Sequence, residues 1–407
     1  MERIHRLADH YERPTWVRRV NAMGDSVGGP DRLISLDPGE LVETASASTG
    51  LSDFGDFDGD WRARLDGLTG SLERDAKLNV VGRLMCRQEI LRGLRTRLLL
   101  TKARADQPAI ADETIEAPMI ITGPARSGTS ILFELIALDP NARGVLATEA
   151  AHPVPAGNPS LDELLAMTEP EQEFWVDVQP DIATIHDFGS DVPVECVTIT
   201  LPSFSGGHWF MVADVATWVP DFAATMDYHR RVLQTLQYGA PKATWVVKTP
   251  VYMMMLDLAF ATYPDAWILH THRDPVKTAP SGLSTLATVR WERSEHVDLD
   301  GMGDGTGGML TGVMQRRIAG ELPDRFVDLH FSDLMADPVK TIGEVYAKMG
   351  REFVPEHAEA IREYIANKPK DRHGKHRYSP EMWGFDTAEL REATRAYTDH
   401  YGIKLEA

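Results

Sequence analysis

The stretch "MIITGPARSGTSILFELIAL", residues 119–138, decides the fold. Its apolar opening, Met119 to Thr122, reads as a short buried strand. Gly123 to Gly128 then spans a glycine-bounded turn with the spacing of a phosphate loop, and an apolar helix follows. A strand-to-helix turn of this kind gathers several backbone N–H groups at one point, where the helix dipole adds partial positive charge. An ATP or GTP site would place Lys and then Ser or Thr directly after the second glycine. Here Thr129 and Ser130 stand there, and Arg126 is the only cation of the loop. The loop suits a phosphate, but a magnesium-bound β/γ-phosphate pair fits it poorly.

Outward from this loop the chain falls into three stretches. Residues 1–115 form a mostly helical extension, with helices expected at Trp61 to Leu72 and Lys77 to Lys102. The segment TASASTGLSDFGDFDGD, residues 44–60, reads as loop. Residues 116–385 alternate strands with helices. The clearest strands are Met119 to Thr122, Thr244 to Val247, Trp267 to Thr271 and Arg325 to Phe331, and the clearest helices are Met253 to Tyr263, Pro275 to Thr285 and Pro338 to Met349. That alternation favours a mostly parallel sheet covered on both faces. Residues 150–240 are less regular and rich in aromatics, residues 366–384 are basic and loop-like, and residues 386–407 form a helical tail.

Composition narrows the function. The 407 residues are 43% hydrophobic and carry a net charge of −19, which argues against sequence-independent nucleic-acid binding. An anionic ligand therefore needs a local basic patch. Two separated cysteines, Cys86 and Cys196, fit a reducing cytoplasm, and scattered histidines offer no recognisable metal set. No apolar run is long enough to span a bilayer, and the charged N-terminus lacks the apolar core of a signal peptide.

A second motif, "WILHTHRDPVKTAPS" from Trp267 to Ser281, places Arg273 at the carboxyl edge of another strand and Pro275 at the start of the next helix. Open α/β sheets bind ligands at the carboxyl ends of their strands, so both motifs can face one crevice. Two anion sites on one sheet imply a ligand with phosphates at two ends.

The pair G-P-A-R-S-G-T-S and R-D-P followed by Ser281 resembles the sulfotransferase superfamily, in its bacterial, actinobacterial-type branch with Arg in the loop. The likeness runs over roughly residues 55–385. It implies an α/β three-layer sandwich with a central parallel sheet of about five strands, like that of P-loop nucleotide kinases. It also implies 3′-phosphoadenosine 5′-phosphosulfate (PAPS) as donor, 3′,5′-adenosine bisphosphate (PAP) as product, and no metal. By this resemblance Ser127, Gly128, Thr129 and Ser130 cradle the 5′-phosphosulfate, Arg126 contacts the phosphosulfate bridge and the transferring sulfuryl group as a catalytic cation, and Arg273 and Ser281 hold the 3′-phosphate. Lys248, in "WVVKTP", matches a lysine near the sulfuryl group, and the basic run KPKDRHGKHR, with Arg372 and Lys375, covers the nucleotide.

Sulfuryl transfer also needs a base for the acceptor hydroxyl. Glu149 is the first candidate and His152 its rival, with Glu195, His186 and His208 behind them. The aromatics Phe204, Trp209 and Phe210, with Phe174 and Trp175 nearby, are expected to wall an apolar acceptor pocket for a phenol, sterol or lipid alcohol. A magnesium-dependent kinase and a non-catalytic nucleotide-binding protein are the alternatives.

Overall fold

The computed structural model of the chain describes residues 3–301, 303, 305–368, 376 and 378–406. Five strands form one wholly parallel sheet: β1 (Met119–Thr122), β2 (Ala142–Arg143), β3 (Thr244–Lys248), β4 (Trp267–His272) and β5 (Phe326–His330), in the order β2-β3-β1-β4-β5. The chain runs from β1 to β2 and β3 on one side, then crosses to β4 and β5 on the other. β1 is therefore the strand at which direction reverses, the place where such sheets open a ligand crevice.

Alternation along the strands explains the layers. Ile120, Val247, Ile268 and Phe326 face one core, packed with Tyr228 and Val232 of the helix Phe222–Gln237 and with Leu256 and Phe260. Met119, Ile121, Val246, Leu269 and Val327 face the other. There they meet Leu132 and Phe133 of the helix Thr129–Ile136 and Ile342, Val345 and Tyr346 of the helix Pro338–Lys348. Each large side chain buried this way contributes about 1.5–3 kcal/mol. A one-residue slip of a strand would exchange its two faces, so burial on both sides holds the register.

A third core joins the N-terminal helices to the aromatic stretch. Leu65 and Leu68 of the helix Trp61–Arg74 and Ile90, Leu94 and Leu98 of the helix Val80–Asp106 close over Leu201, Phe204 and Trp209. Phe204 and Trp209 are fully buried in it. They serve the core, which corrects their assignment to an open acceptor wall. Phe210 alone of the three is partly exposed, and its carbonyl accepts from Arg290 Nη2 at 2.8 Å.

Two boundaries also depart from expectation. Residues 44–49 belong to a helix, Pro38–Thr49, not to a loop. Asp37 caps it by accepting from Glu40 N, Pro38 opens it, and Gly50 ends it at φ 68°. The helix expected at Pro275 to Thr285 continues to Arg293, with Pro280 in its interior.

Candidate active site

The loop after β1 is shaped by three residues in the left-handed half of conformational space: Gly123 (φ 152°), Arg126 (φ 67°) and Gly128 (φ 95°). A side chain at Gly123 would meet Thr271 Oγ1 at 2.4 Å and its carbonyl oxygen at 2.6 Å, so only glycine lets the loop close against β4. Arg126 holds a conformation that costs a non-glycine residue about 1–3 kcal/mol and persists only where the surroundings impose it. Two contacts do so here. Its carbonyl accepts from Arg273 Nη1 at 3.2 Å, and its own Nη1 donates to the carbonyl of Ile185 at 2.8 Å. The Gly128, Thr129 and Ser130 amides open the helix Thr129–Ile136, where the first-turn N–H groups lack intrahelical partners.

Ser127, expected among the phosphate donors, is fully buried and spent on the loop itself. Its N–H donates to Pro124 O at 3.1 Å, and its hydroxyl bonds Pro124 O at 2.6 Å and Thr271 Oγ1 at 2.5 Å. Its contribution is to the shape of the loop.

Lys248, at the carboxyl end of β3, is 2% exposed. Its Nζ donates to Ser130 Oγ at 3.3 Å and to Glu195 Oε1 at 2.6 Å. It is a placed cation between the loop and a carboxylate. The ring of His186 stands 3.7 Å from the same carboxylate oxygen. Burial, then Lys248, push the His186 imidazole down to about 4, leaving it neutral at pH 7.

The second motif gathers on β4 and the helix after it. Arg273 donates through Nε and Nη2 to the two oxygens of Glu406 at 2.7 and 2.9 Å, while its guanidinium lies over the Phe331 ring at 4.1 Å. The Glu406 N–H donates to Asp274 Oδ2 at 2.7 Å, and Arg391 Nη2 donates to its carbonyl at 3.0 Å. Ser281 is fully buried, and its hydroxyl has no hydrogen-bond partner among the described residues. A Cβ at the next residue, Gly282, would touch the Ala125 Cβ at 3.3 Å, so this turn of helix rests directly on the phosphate loop.

Of the covering segment, Arg372 and Lys375 lie outside the described residues. His376 accepts from or donates to Ser284 Oγ at 2.9 Å through Nε2. Burial, then the Arg126 charge, lower its imidazole to about 4. The end of the segment therefore reaches the loop.

The two bases expected first, Glu149 and His152, have other partners. Glu149 Oε2 accepts from the Leu146 N–H at 3.0 Å, and Oε1 is held by the Arg143 guanidinium at the β2 edge. With both oxygens engaged it is a helix-start glutamate paired with an arginine. His152 lines a groove of about 410 Å³ with Leu84, Leu91, Val154 and Met167, its Nε2 3.7 Å from Glu171. His208 Nε2 lies 3.1 Å from Glu89, inside the third core. Among the remaining candidates, Glu195 is the one that meets Lys248. The signal that could have raised it was the lysine itself, since a cation buried at a strand end needs a partner.

One histidine group gathers potential metal ligands: His270, His272 and Asp328 hold ligand atoms within 4.8 Å of one another. Asp328 is already bound by Arg317 through both oxygens at 2.6 and 2.8 Å and by His272 Nε2 at 2.9 Å, and His272 Nδ1 pairs with Tyr397 OH at 2.7 Å. This knot ties the helix Thr387–Tyr401 to β4 and β5.

Residues 118–355 match the model of a sulfotransferase family. Over 285 residues the chain is 24% identical to the omega-hydroxy-beta-dihydromenaquinone-9 sulfotransferase Stf3 of Mycobacterium bovis, covering 65% of this chain and 69% of the relative. The solved structure of sulfotransferase STF1 from Mycobacterium tuberculosis H37Rv superposes with a TM-score of 0.74 at 25% identity, covering 88% of this chain and 98% of that one. Sulfotransferase STF9 from Mycobacterium avium gives 0.75 at 25% identity, over 91% and 97%. The matched span contains both anion motifs, the five parallel strands and Lys248, and the chain belongs to the sulfotransferase family.

Proposed function

We propose that the protein transfers a sulfuryl group from PAPS to a hydroxyl of an apolar acceptor. The observation that carries this reading is the pairing of two anion sites across one turn of helix. On one side are the loop amides with Lys248; on the other are Arg273 and the unpartnered Ser281 hydroxyl. The first-turn amides of residues 128–130 and the orphaned buried hydroxyl of Ser281 are what a ligand phosphorylated at both ends would satisfy.

PAPS would supply an activated sulfuryl group. The chain's part is to bind and orient it: the amides of residues 128–130 and Lys248 toward the 5′ end, Arg273 and Ser281 toward the 3′-phosphate. Arg126, whose guanidinium already links the loop to Ile185, would neutralise charge at the phosphosulfate bridge. Glu406 now holds Arg273 as a phosphate would, so binding exchanges one anion for another.

An apolar acceptor is supported by the relative Stf3, named for a hydroxylated menaquinone. A lipid alcohol is favoured here over a sugar. Calorimetry of the EDTA-treated protein tests the donor: PAP should bind without metal and ATP much more weakly. A preference for ATP would return the loop to the kinase reading. Transfer of ³⁵S from PAPS to geranylgeraniol, with glucose as control, tests the acceptor class.

A further inference from the structure

Beyond the loop, one buried carboxylate at the reaction edge has no structural task that uses both of its oxygens. Glu195 precedes the short helix Cys196–Ile199 in the irregular stretch between β2 and β3. Its Oε1 takes the Lys248 ammonium, while Oε2 is covered from solvent and makes no hydrogen bond of normal geometry. The Thr249 hydroxyl accepts from the Val251 N–H at 3.3 Å, and its proton is free to turn toward the carboxylate. An ionised carboxylate oxygen buried without a donor is costly and is retained where something else completes it.

We infer that Glu195 is the general base for the acceptor hydroxyl, its Oε2 receiving the proton while Lys248 serves the departing phosphate. This rests on the sulfotransferase reading above and deepens it. The acceptor oxygen forms its bond to sulfur as its proton passes to Glu195. The bond from sulfur to the bridging oxygen breaks, and its electron pair stays on the 5′-phosphate, beside Lys248 and the loop amides. No metal or further reactant is needed.

The resting state of the pair also explains how the base is switched on. Burial pushes the Glu195 carboxyl up, but the Lys248 ammonium beside it outweighs this and holds it below the usual carboxylate range. Without an anion at the loop it is a weak base. A phosphate beside Ser130 draws on the same ammonium, 3.3 Å from that hydroxyl, and adds a negative neighbour. Both changes raise the basicity of Glu195. Proton abstraction is thereby tied to donor occupancy.

The rival account is that Glu195 only positions Lys248. Two acceptors separate the accounts. Geranylgeraniol cannot ionise unaided, whereas p-nitrophenol is already ionised at about pH 8 and needs no base. For Glu195→Gln, transfer to geranylgeraniol should fall about 10²–10⁴-fold, transfer to p-nitrophenol should stay within a few-fold, and PAP should bind as tightly as before or more tightly. Equal losses with both acceptors together with weaker PAP binding would overturn the inference and leave Glu195 as a positioning residue. An alcohol-selective loss in His186→Gln but not in Glu195→Gln would move the base to His186. If wild-type protein bound no PAP at all, the donor reading would fall instead.

Discussion

The pairs Arg293–Glu89 and Lys248–Glu195 each set a glutamate against a buried cation, and they differ in what they leave open. At the third core, Arg293 donates to both oxygens of Glu89 at 2.6 and 2.8 Å, His208 approaches at 3.1 Å, and Trp175 covers the guanidinium at 4.8 Å. Every acceptor of Glu89 is engaged, so the pair is closed. At the end of β3, Lys248 engages one oxygen of Glu195, and the other makes no hydrogen bond of normal geometry. A closed pair can hold the helices Val80–Asp106 and Pro275–Arg293 together but can do little chemistry. An open one contributes less to folding and keeps an oxygen for a proton.

The largest effect that would break this comparison is on stability. Arg293→Met leaves Glu89 buried with only His208 beside it, and should lower unfolding free energy by about 3–5 kcal/mol. Urea denaturation measures it. Glu195→Gln should move the same midpoint far less while abolishing most alcohol transfer. If the two variants unfolded alike, the division into a closed structural pair and an open reactive one would be wrong.

Next in size is Arg273→Ala. A bidentate charged contact contributes about 1.5–3 kcal/mol, so PAP affinity should weaken about 10–100-fold by calorimetry. The fold should survive, because the partner it abandons, Glu406, is 34% exposed and can turn to water.

The closed pair carries a pH signature through its neighbour. Glu292 is 2% exposed with both oxygens unpartnered among the described residues, and burial pushes its carboxyl well above the usual range. The native state keeps this proton where the unfolded chain has lost it. Its contribution to stability therefore falls as pH rises from about 4.3, the value of an unfolded glutamate, toward its raised native value. Glu89 runs the other way: burial raises it, but Arg293 and His208 outweigh that and hold it well below the usual range. Its stabilisation is complete above about 4.3 and is lost as pH falls below that. Glu292→Gln should flatten the decline in stability above about pH 4.3 and leave the acid limb intact.

The smallest effect concerns Glu406. Removing its charge with Glu406→Gln frees Arg273 from a competing anion and should tighten PAP binding only a few-fold, since a partly exposed pair of this kind contributes about 1 kcal/mol or less.

How much of this could be read from the chain follows from local physics. Four strands were legible because both faces are buried, which writes them as short apolar runs, and the loop was legible from the spacing of Gly123 and Gly128. Arg273 could be set at a strand end and Pro275 at the opening of the next helix, whereas Ser281 came only with the family resemblance. The helix Pro38–Thr49 was hidden by its Ala, Ser and Thr content, although Asp37 and Gly50 mark its ends. Phe204 and Trp209 look alike as pocket wall or core in sequence. The N-terminal helices that bury them decide the matter, and that is a long-range fact. Glu195 was passed over for Glu149 because nothing local distinguishes two glutamates. What separates them is that Arg143 closes one and Lys248 half-closes the other.

The most direct test of the account is a crystal structure of the protein grown with PAP. The account predicts the 3′-phosphate on Arg273 and Ser281 with Glu406 displaced, and the 5′-phosphate on the amides of residues 128–130 within reach of Lys248. PAP bound elsewhere, with Glu406 still seated on Arg273, would contradict it.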